Sequence, residues 1–336
     1  MTFIGRPGGD PTANVDYSII DFEARAADAA AVTEWMTDWL DSPPMTELFG
    51  IFGHSLASGS PLERIVQAER VTHDVFDFRQ GGERWEARRT EFDETTTRVA
   101  DELISLLFRE PSRSLAEEIG PVDHALVLGG RINSCVLRGE LMARLVEDGL
   151  EVGHVWGLGS RREVTTEEVE FAAELGSTDV RDELDAMTVA LVHTLGLDPV
   201  PLMHNQSNGE VRHIAQTPLP VTGLAAPAGD GKARATTSDT YRYFSSQATT
   251  LRPADRVLVV TSAIHAPFQH AQAIAELGIP TGVSIVSVGA HLASSAHASV
   301  RRDWTTAEWL QEVRSAVWSM KQMYLAVLPA NPSATP

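Results

Sequence analysis

The residues best placed to do chemistry are an arginine, a histidine and the glycines that end apolar runs. Between His124 and Gly149 the chain reads HALVLGGRINSCVLRGELMARLVEDG. This predicts a short buried strand, a turn at Gly129 and Gly130, and a helix that stops at Gly149, with Asn133 or Ser134 as its cap. Backbone N–H groups at such a turn attract anions, so Gly129, Gly130, Arg131 and Asn133 are candidates for holding a phosphate. On the helical wheel Leu137, Leu141, Leu145, Met142, Cys135 and Val146 fill one half, and Arg138 falls among them. An inward guanidinium needs an anionic partner. That partner is either a structural carboxylate or a substrate phosphate or carboxylate.

His265, in the segment TSAIHAPF, sits where a strand hands over to a helix. Histidine is the side chain that ordinarily titrates near neutrality, which makes His265 the candidate for proton transfer. In open α/β sheets ligands lie beyond the carboxyl ends of the strands. That rule adds Gly157, Gly159 and Ser160 after a second strand, Asp239 and Thr240 across a long connection, and Thr261 and Ser262 just before His265. The spacings of His265 to His270 and of His291 to His297 do not place two ligands on one helix face, so no metal site is expected. G-x-G-x-x-G, G-x-x-x-x-G-K-[ST] and C-x-x-C are all missing. Gly53-His54-Ser55-Leu56-Ala57 only half resembles a nucleophile elbow.

Positioning these groups takes alternating strands and helices. From Asp123 onward we expect strands at Val152–Trp156 (closed by Gly157-Leu158-Gly159-Ser160), Pro199–Met203, Pro220–Ala226, Val257–Val260 and Val283–Val288. Helices fall between them at Val180–Leu195 and Pro267–Leu277, the latter ended by Gly278. Thr165 with Glu168 has the spacing of a capping box that opens another. The rhythm predicts an α/β fold with a mainly parallel sheet and helices on both faces, a Rossmann-like three-layer core. Before it, residues 1–120 read as mostly helical: Glu23–Leu40, Pro61–Arg70, Arg84–Phe108 and a short helix opened by Ser114 and Glu117. A short strand is expected near Val75–Phe78. The core occupies 121–290, and 291–336 form a helical segment opened by Thr305 and Glu308. The connection Ala225–Asp239 is small, polar and long enough to be a surface loop or a lid, and it carries Lys232 and Arg234.

Composition narrows the function. With 336 residues and 43% hydrophobic content the chain can bury one large core. A net charge of −19 argues against nucleic-acid binding and makes a local basic cluster a lure for a small anion. No apolar run approaches the ~20 residues of a membrane span, and the start lacks the blocks of a secretory signal. The single cysteine, Cys135, on the apolar helix face, reads as a packing thiol in a reducing compartment. A cytoplasmic protein is expected. Two copies could pair through the tryptophan-bearing helices (Trp35 and Trp39; Trp304, Trp309 and Trp318), although such stripes more often form intramolecular core.

Several of these segments together resemble the YdcF/SanA/ElyC-like bacterial domain family over residues 123–290. VLGG comes first, then Arg138 followed eleven residues later by Gly149, then a second glycine-ended strand. Glu183 and Met187 match an E-x-x-x-M helix. Thr240-Tyr241 matches the start of N-T-x-E-N, and Val260 to His265 matches V-T-S-x-x-H. Arg242, Tyr243 and Phe268 stand where that family has Glu, Asn and Arg. The resemblance implies a Rossmann-like core with a site at Gly129, Gly130, Arg138, Glu183, Thr240, Thr261, Ser262 and His265. It also implies a link to cell-envelope metabolism and, in one branch, S-adenosylmethionine as ligand.

The expected function is an enzyme, a transferase or hydrolase, acting on a small phosphorylated or nucleotide-like metabolite. His265 would be the acid or base, and Glu183 would orient it or balance Arg138. Arg131, with Lys232 or Arg234, would close over the anion. The alternatives are an S-adenosylmethionine-dependent methyltransferase, for which Trp156-Gly157-Leu158-Gly159 offers no ribose-binding acid, and a non-catalytic ligand sensor.

Overall fold

The computed structural model describes residues 17–23, 28–78, 91–109, 113–202, 209–229, 231, 234–247 and 251–328. Chain order begins with β1 (Tyr17–Ile20), α1 (Ala29–Leu40), α2 (Pro43–Ile51), α3 (Pro61–Phe76), α4 (Glu94–Ser105), β2 (Phe108–Arg109) and α5 (Leu115–Ile119). It continues with β3 (Val122–Leu128), α6 (Ile132–Glu147), β4 (Val152–Ser160), α7 (Thr166–Glu174), α8 (Glu183–Thr194), β5 (Glu210–Ala215) and β6 (Val221–Ala226). Then come α9 (Thr237–Gln247), β7 (Arg256–Ser262), α10 (Ala266–Ala273), α11 (Ile279–Thr281), β8 (Ser284–Ala290) and α12 (Thr306–Val327). Capping boxes open α3, α5, α7 and α12, each with a serine or threonine paired to a glutamate three residues on.

The fold is α/β around one eight-stranded mixed sheet in the order β2-β1-β8-β7-β3-β4-β6-β5. The strands from β8 to β6 are parallel to one another, as their near-continuous apolar sequences require when both faces are covered. Antiparallel strands close both edges: β1 pairs with β8, β2 with β1, and β5 with β6. From β3 the chain moves outward to β4 and β6, then returns to β7 on the other flank of β3. The direction of winding therefore reverses between β3 and β7. One face of the sheet packs Leu126, Leu128, Val257 and Val259 against α1, α3, α4, α10 and α12. The other packs Ala125, Val127, Leu258 and Val260 against α6, α7 and α8. No helix among the described residues is long and apolar enough to cross a membrane.

Four local expectations need correction. Val75 lies in α3, because Ile65, Ala68, Thr72 and Phe76 bury at helical spacing through to the end of that element. Residues 199–202 form no strand; the strand there is β5, whose buried positions include Glu210 and Arg212. Those two are satisfied by ionic contacts, Arg212 Nε to Glu210 at 3.0 Å and Arg212 Nη1 to Asp185 at 2.8 Å, so apolar alternation never signals the strand. The chain does not leave the β7–β8 crossover at Gly278, which sits in a π-helical turn; Gly282, at φ +77°, makes the left-handed turn. Gly149, at φ +92°, ends α6 as expected. Finally, β4 runs on through Gly157 and Gly159 to Ser160.

A buried histidine in α10 makes the fold acid-sensitive. His270 is fully buried, its Nδ1 2.8 Å from Ser287 Oγ and its ring flanked edge-on by Phe22 and Trp35. Burial pushes its pKa down to about 3, with contact to the Phe22 main chain only partly opposing. The unfolded chain binds this proton near pH 6.5, so the contribution is complete above that pH and is lost as pH falls toward 3. At full loss it is on the order of 5 kcal/mol. His154, pushed down to about 4 by burial and then by His124 and His213, acts in the same direction. Urea unfolding at pH 7.5 and pH 5 should show a lower midpoint at pH 5. The difference should shrink in His270→Gln; an equal difference in both proteins would refute the assignment.

Candidate functional site

The reversal point brings three strand ends together: Leu128 of β3, Ser262 of β7 and Ser160 of β4. Arg138, on the second turn of α6, reaches across them at 2% exposure. Its Nε donates to Ser262 Oγ at 3.1 Å, and its Nη1 donates to the carbonyls of Leu128, at 2.8 Å, and Gly129. The inward guanidinium is thus held by main-chain oxygens and a hydroxyl that tie β3 to β7. A carboxylate, Glu183, is near enough for Arg138 to act on its ionisation.

Glu183 opens α8 behind the cap Asp182, with its amide donating to the Arg162 carbonyl at 2.9 Å. Its carboxyl points back at the strand ends and accepts a hydrogen bond from the Ser160 hydroxyl. Arg162 Nε lies 4.0 Å from the same oxygen, Oε2. Glu183 also lies against Gly129, where a Cβ would overlap the Leu158 carbonyl and stand 2.5 Å from Glu183 Oε1. Burial raises the pKa of Glu183 above the ordinary glutamate value, although Ser160, Arg162, Arg234 and Arg138 all pull the other way. Its pKa is thus set by burial working against a basic surrounding.

Beside it sits an ion pair that sequence reasoning missed. Arg162 makes a two-pronged contact with Glu168, both bonds 2.9 Å, and its Nη2 also donates to the Gly130 carbonyl at 3.1 Å. Glu168 Oε1 accepts from the Ile132 amide at 2.9 Å, so the start of α6 is capped from α7. Although burial pushes the Glu168 pKa up, Arg162 and the amides of Thr165 and Ile132 hold it below the ordinary range. The expected cap by Asn133 or Ser134 is therefore wrong: the N-cap is Arg131, which makes no side-chain cap bond. The anion at the glycine turn is the protein's own Glu168. Arg131 joins the same cluster, donating to Thr165 Oγ1 at 3.1 Å and lying 3.5 Å from Glu167.

The other candidates divide. Gly157 and Gly159 are packing positions; a Cβ on Gly157 would stand 2.6 Å from Leu191 Cδ1, and one on Gly159 3.3 Å from the Leu184 main chain. Asn133 is half-buried on the first turn of α6. Asp239 accepts from the Thr236 amide at 2.9 Å, and the Thr240 hydroxyl donates to the Thr236 carbonyl at 3.0 Å, so both serve the start of α9. The Thr261 hydroxyl donates to Gln269 of α10. His265 faces α12, its Nδ1 3.4 Å from Glu312 Oε2. Arg138 and Glu312 thus approach the end of β7 from helices on opposite faces of the sheet. Arg234 is exposed and acts electrostatically on Glu183; Lys232 lies outside the described residues. The Cys135 thiol is buried, 3.7 Å from the Gly130 carbonyl, and burial pushes its pKa up to about 12, as a packing thiol requires. Among the described residues no group of three His, Cys, Asp or Glu could hold a metal ion.

Comparison with known proteins places the likeness elsewhere than the resemblance drawn above. Residues 23–107 match the model of the Rv3785 N-terminal domain. The chain is similar to mycobacterial Rv3785 proteins along most of its length. Two of these are uncharacterized protein Rv3785 of Mycobacterium tuberculosis (strain ATCC 25618 / H37Rv) and uncharacterized protein Mb3814 of Mycobacterium bovis (strain ATCC BAA-935 / AF2122/97). Each is 25% identical over 326 residues, covering 86% of this chain and 88% of the relative. No solved structure matches the chain. The YdcF/SanA/ElyC-like resemblance is withdrawn: the family match lies on the N-terminal helical flank which that resemblance left out.

Proposed function

We propose that the protein is an enzyme acting on a small phosphorylated or nucleotide-like molecule bound at the carboxyl edge of the sheet. Transfer or hydrolysis is the reaction class, with Glu183 and His265 handling protons. The observation that carries this reading is Glu183, a buried carboxyl at the strand ends that accepts from the Ser160 hydroxyl and lies 4.0 Å from Arg162 Nε; burial raises its pKa while Arg162, Arg234 and Arg138 pull it down. An incoming anion among those groups would push Glu183 further toward its protonated form. It could then donate to a leaving oxygen while the guanidinium groups steady the developing charge. The strand order supports a Rossmann-like interpretation, since ligands in such sheets bind where the winding reverses. Arg234, on the connection before α9, adds positive charge to the same edge. The lone cysteine suits a cytoplasmic setting.

Thermal unfolding with inorganic phosphate, AMP and S-adenosylmethionine tests the proposal. A phosphate-bearing compound at 100 times its Kd stabilises by about 2.7 kcal/mol, a rise in Tm on the order of 5 °C. No rise with either phosphate-bearing compound would overturn the reading. A rise with S-adenosylmethionine alone would favour methyl transfer.

A further inference from the structure

The C-terminal helix carries a residue that the proposed chemistry needs. His265 lies in the short turn Ala263–His265 that follows β7, three residues beyond the serine that binds Arg138. Gly289 of β8 lets this turn pass close by: a Cβ there would stand 2.6 Å from the Ala263 amide nitrogen. The His265 ring is mostly buried, at 13% exposure, between two groups of the C-terminal segment. On one side Glu312 of α12, itself 4% exposed, brings Oε2 to 3.4 Å from Nδ1. On the other, the Trp304 ring centroid is 6.0 Å away, with Arg302 over the indole at 4.8 Å. The start of α12 is tied down by the Thr305–Glu308 capping box, and Arg302 bonds Glu308 as well. Trp304 Nε1 is buried and has no hydrogen-bond partner among the described residues.

We infer that Glu312 is the positioning residue for His265. Its carboxylate approaches Nδ1 at 3.4 Å, so it favours the tautomer with hydrogen on Nδ1. The contact is an ion pair rather than a hydrogen bond, so Glu312 acts on the ring through its charge. The assignment rests on the acid–base reading given above. It adds that residues 302–312 belong to the working site, and that the indole donor of Trp304 is available to an acceptor on the bound molecule.

The test uses the full chain labelled with 15N-histidine, His265 being assigned by its loss in His265→Gln. At pH 8 the wild-type ring should be predominantly protonated on Nδ1. In Glu312→Gln and Glu312→Ala the Nδ1-to-Nε2 tautomer ratio should fall about tenfold, the loss of the carboxylate charge beside Nδ1. Glu312→Asp should restore it, which a merely structural role would not. Inorganic phosphate should shift the Nε2 resonance of the wild type more than that of Nδ1. A wild-type ring protonated on Nε2, or one unchanged in Glu312→Ala, overturns the assignment whatever phosphate does. A tautomer set by Glu312 but untouched by phosphate keeps the assignment and counts against the anion reading. If Glu312→Ala does not fold, the Gln and Asp variants decide.

Discussion

Replacing Arg138 with methionine should destabilise the protein by roughly 3–5 kcal/mol. The side chain is 2% exposed and bridges the Leu128 and Gly129 carbonyls to the Ser262 hydroxyl. Methionine fills much of the volume but donates nothing. It leaves buried acceptors without partners and removes a positive charge from the neighbourhood of Glu183. Swapping a whole buried ion pair for apolar residues can be neutral. Here two of the three acceptors are main-chain carbonyls that cannot be swapped, so that relief is closed off. Lysine should recover only part of the loss, because one ammonium on a linear stem cannot span both strand ends. Urea unfolding of the three proteins measures this; a methionine variant within 1 kcal/mol of wild type would contradict it.

The glycine turn should give a sharply graded response. Gly129→Ala forces a Cβ into the Leu158 carbonyl, and it would also stand 2.5 Å from Glu183 Oε1. Leu158 cannot retreat, because it is the register partner of Leu128 in the β3–β4 ladder. Either the ladder opens or Glu183 leaves Ser160. We expect about 2–3 kcal/mol of destabilisation, together with loss of any thermal response to phosphate. One residue on, Gly130→Ala meets only Ser134 Cβ at 3.2 Å and Arg138 Nη1 at 3.5 Å, both side-chain atoms. It should cost under about 1 kcal/mol. Equal effects at the two positions would mean that the contact with Glu183 is not what makes Gly129 necessary.

The legible parts of this molecule were those governed by local rules. Period and composition were enough to read the buried strands β3, β7 and β8, the capping boxes of α5, α7 and α12, and the inward direction of Arg138. Contacts between distant segments were not legible. Glu168 follows Thr165 at capping-box spacing and does cap its own helix, with the Thr165 amide donating to Oε2 at 3.0 Å. Nothing local reveals that its other oxygen closes α6. The pairing of Glu312 with His265 spans 47 residues for the same reason. β5 was missed because two of its three inward residues, Glu210 and Arg212, are charged, and their partners come from α8 and from Arg161 just after β4. Gly157 and Gly159 follow an apolar run as ligand-binding glycines would, yet they are small because α8 packs on them. A guanidinium at the carboxyl end of parallel strands was rightly expected inside; what holds it could only come from the fold.

The central claim is that Glu183 is a buried carboxyl of raised pKa at an anion-receiving strand edge. It is tested most directly by following the side-chain 13C resonance of Glu183 against pH, with and without inorganic phosphate, the signal being assigned by its loss in Glu183→Gln. The account predicts a midpoint above that of an ordinary glutamate, moved higher when phosphate is present. A midpoint at or below the ordinary value, unmoved by phosphate, would contradict it.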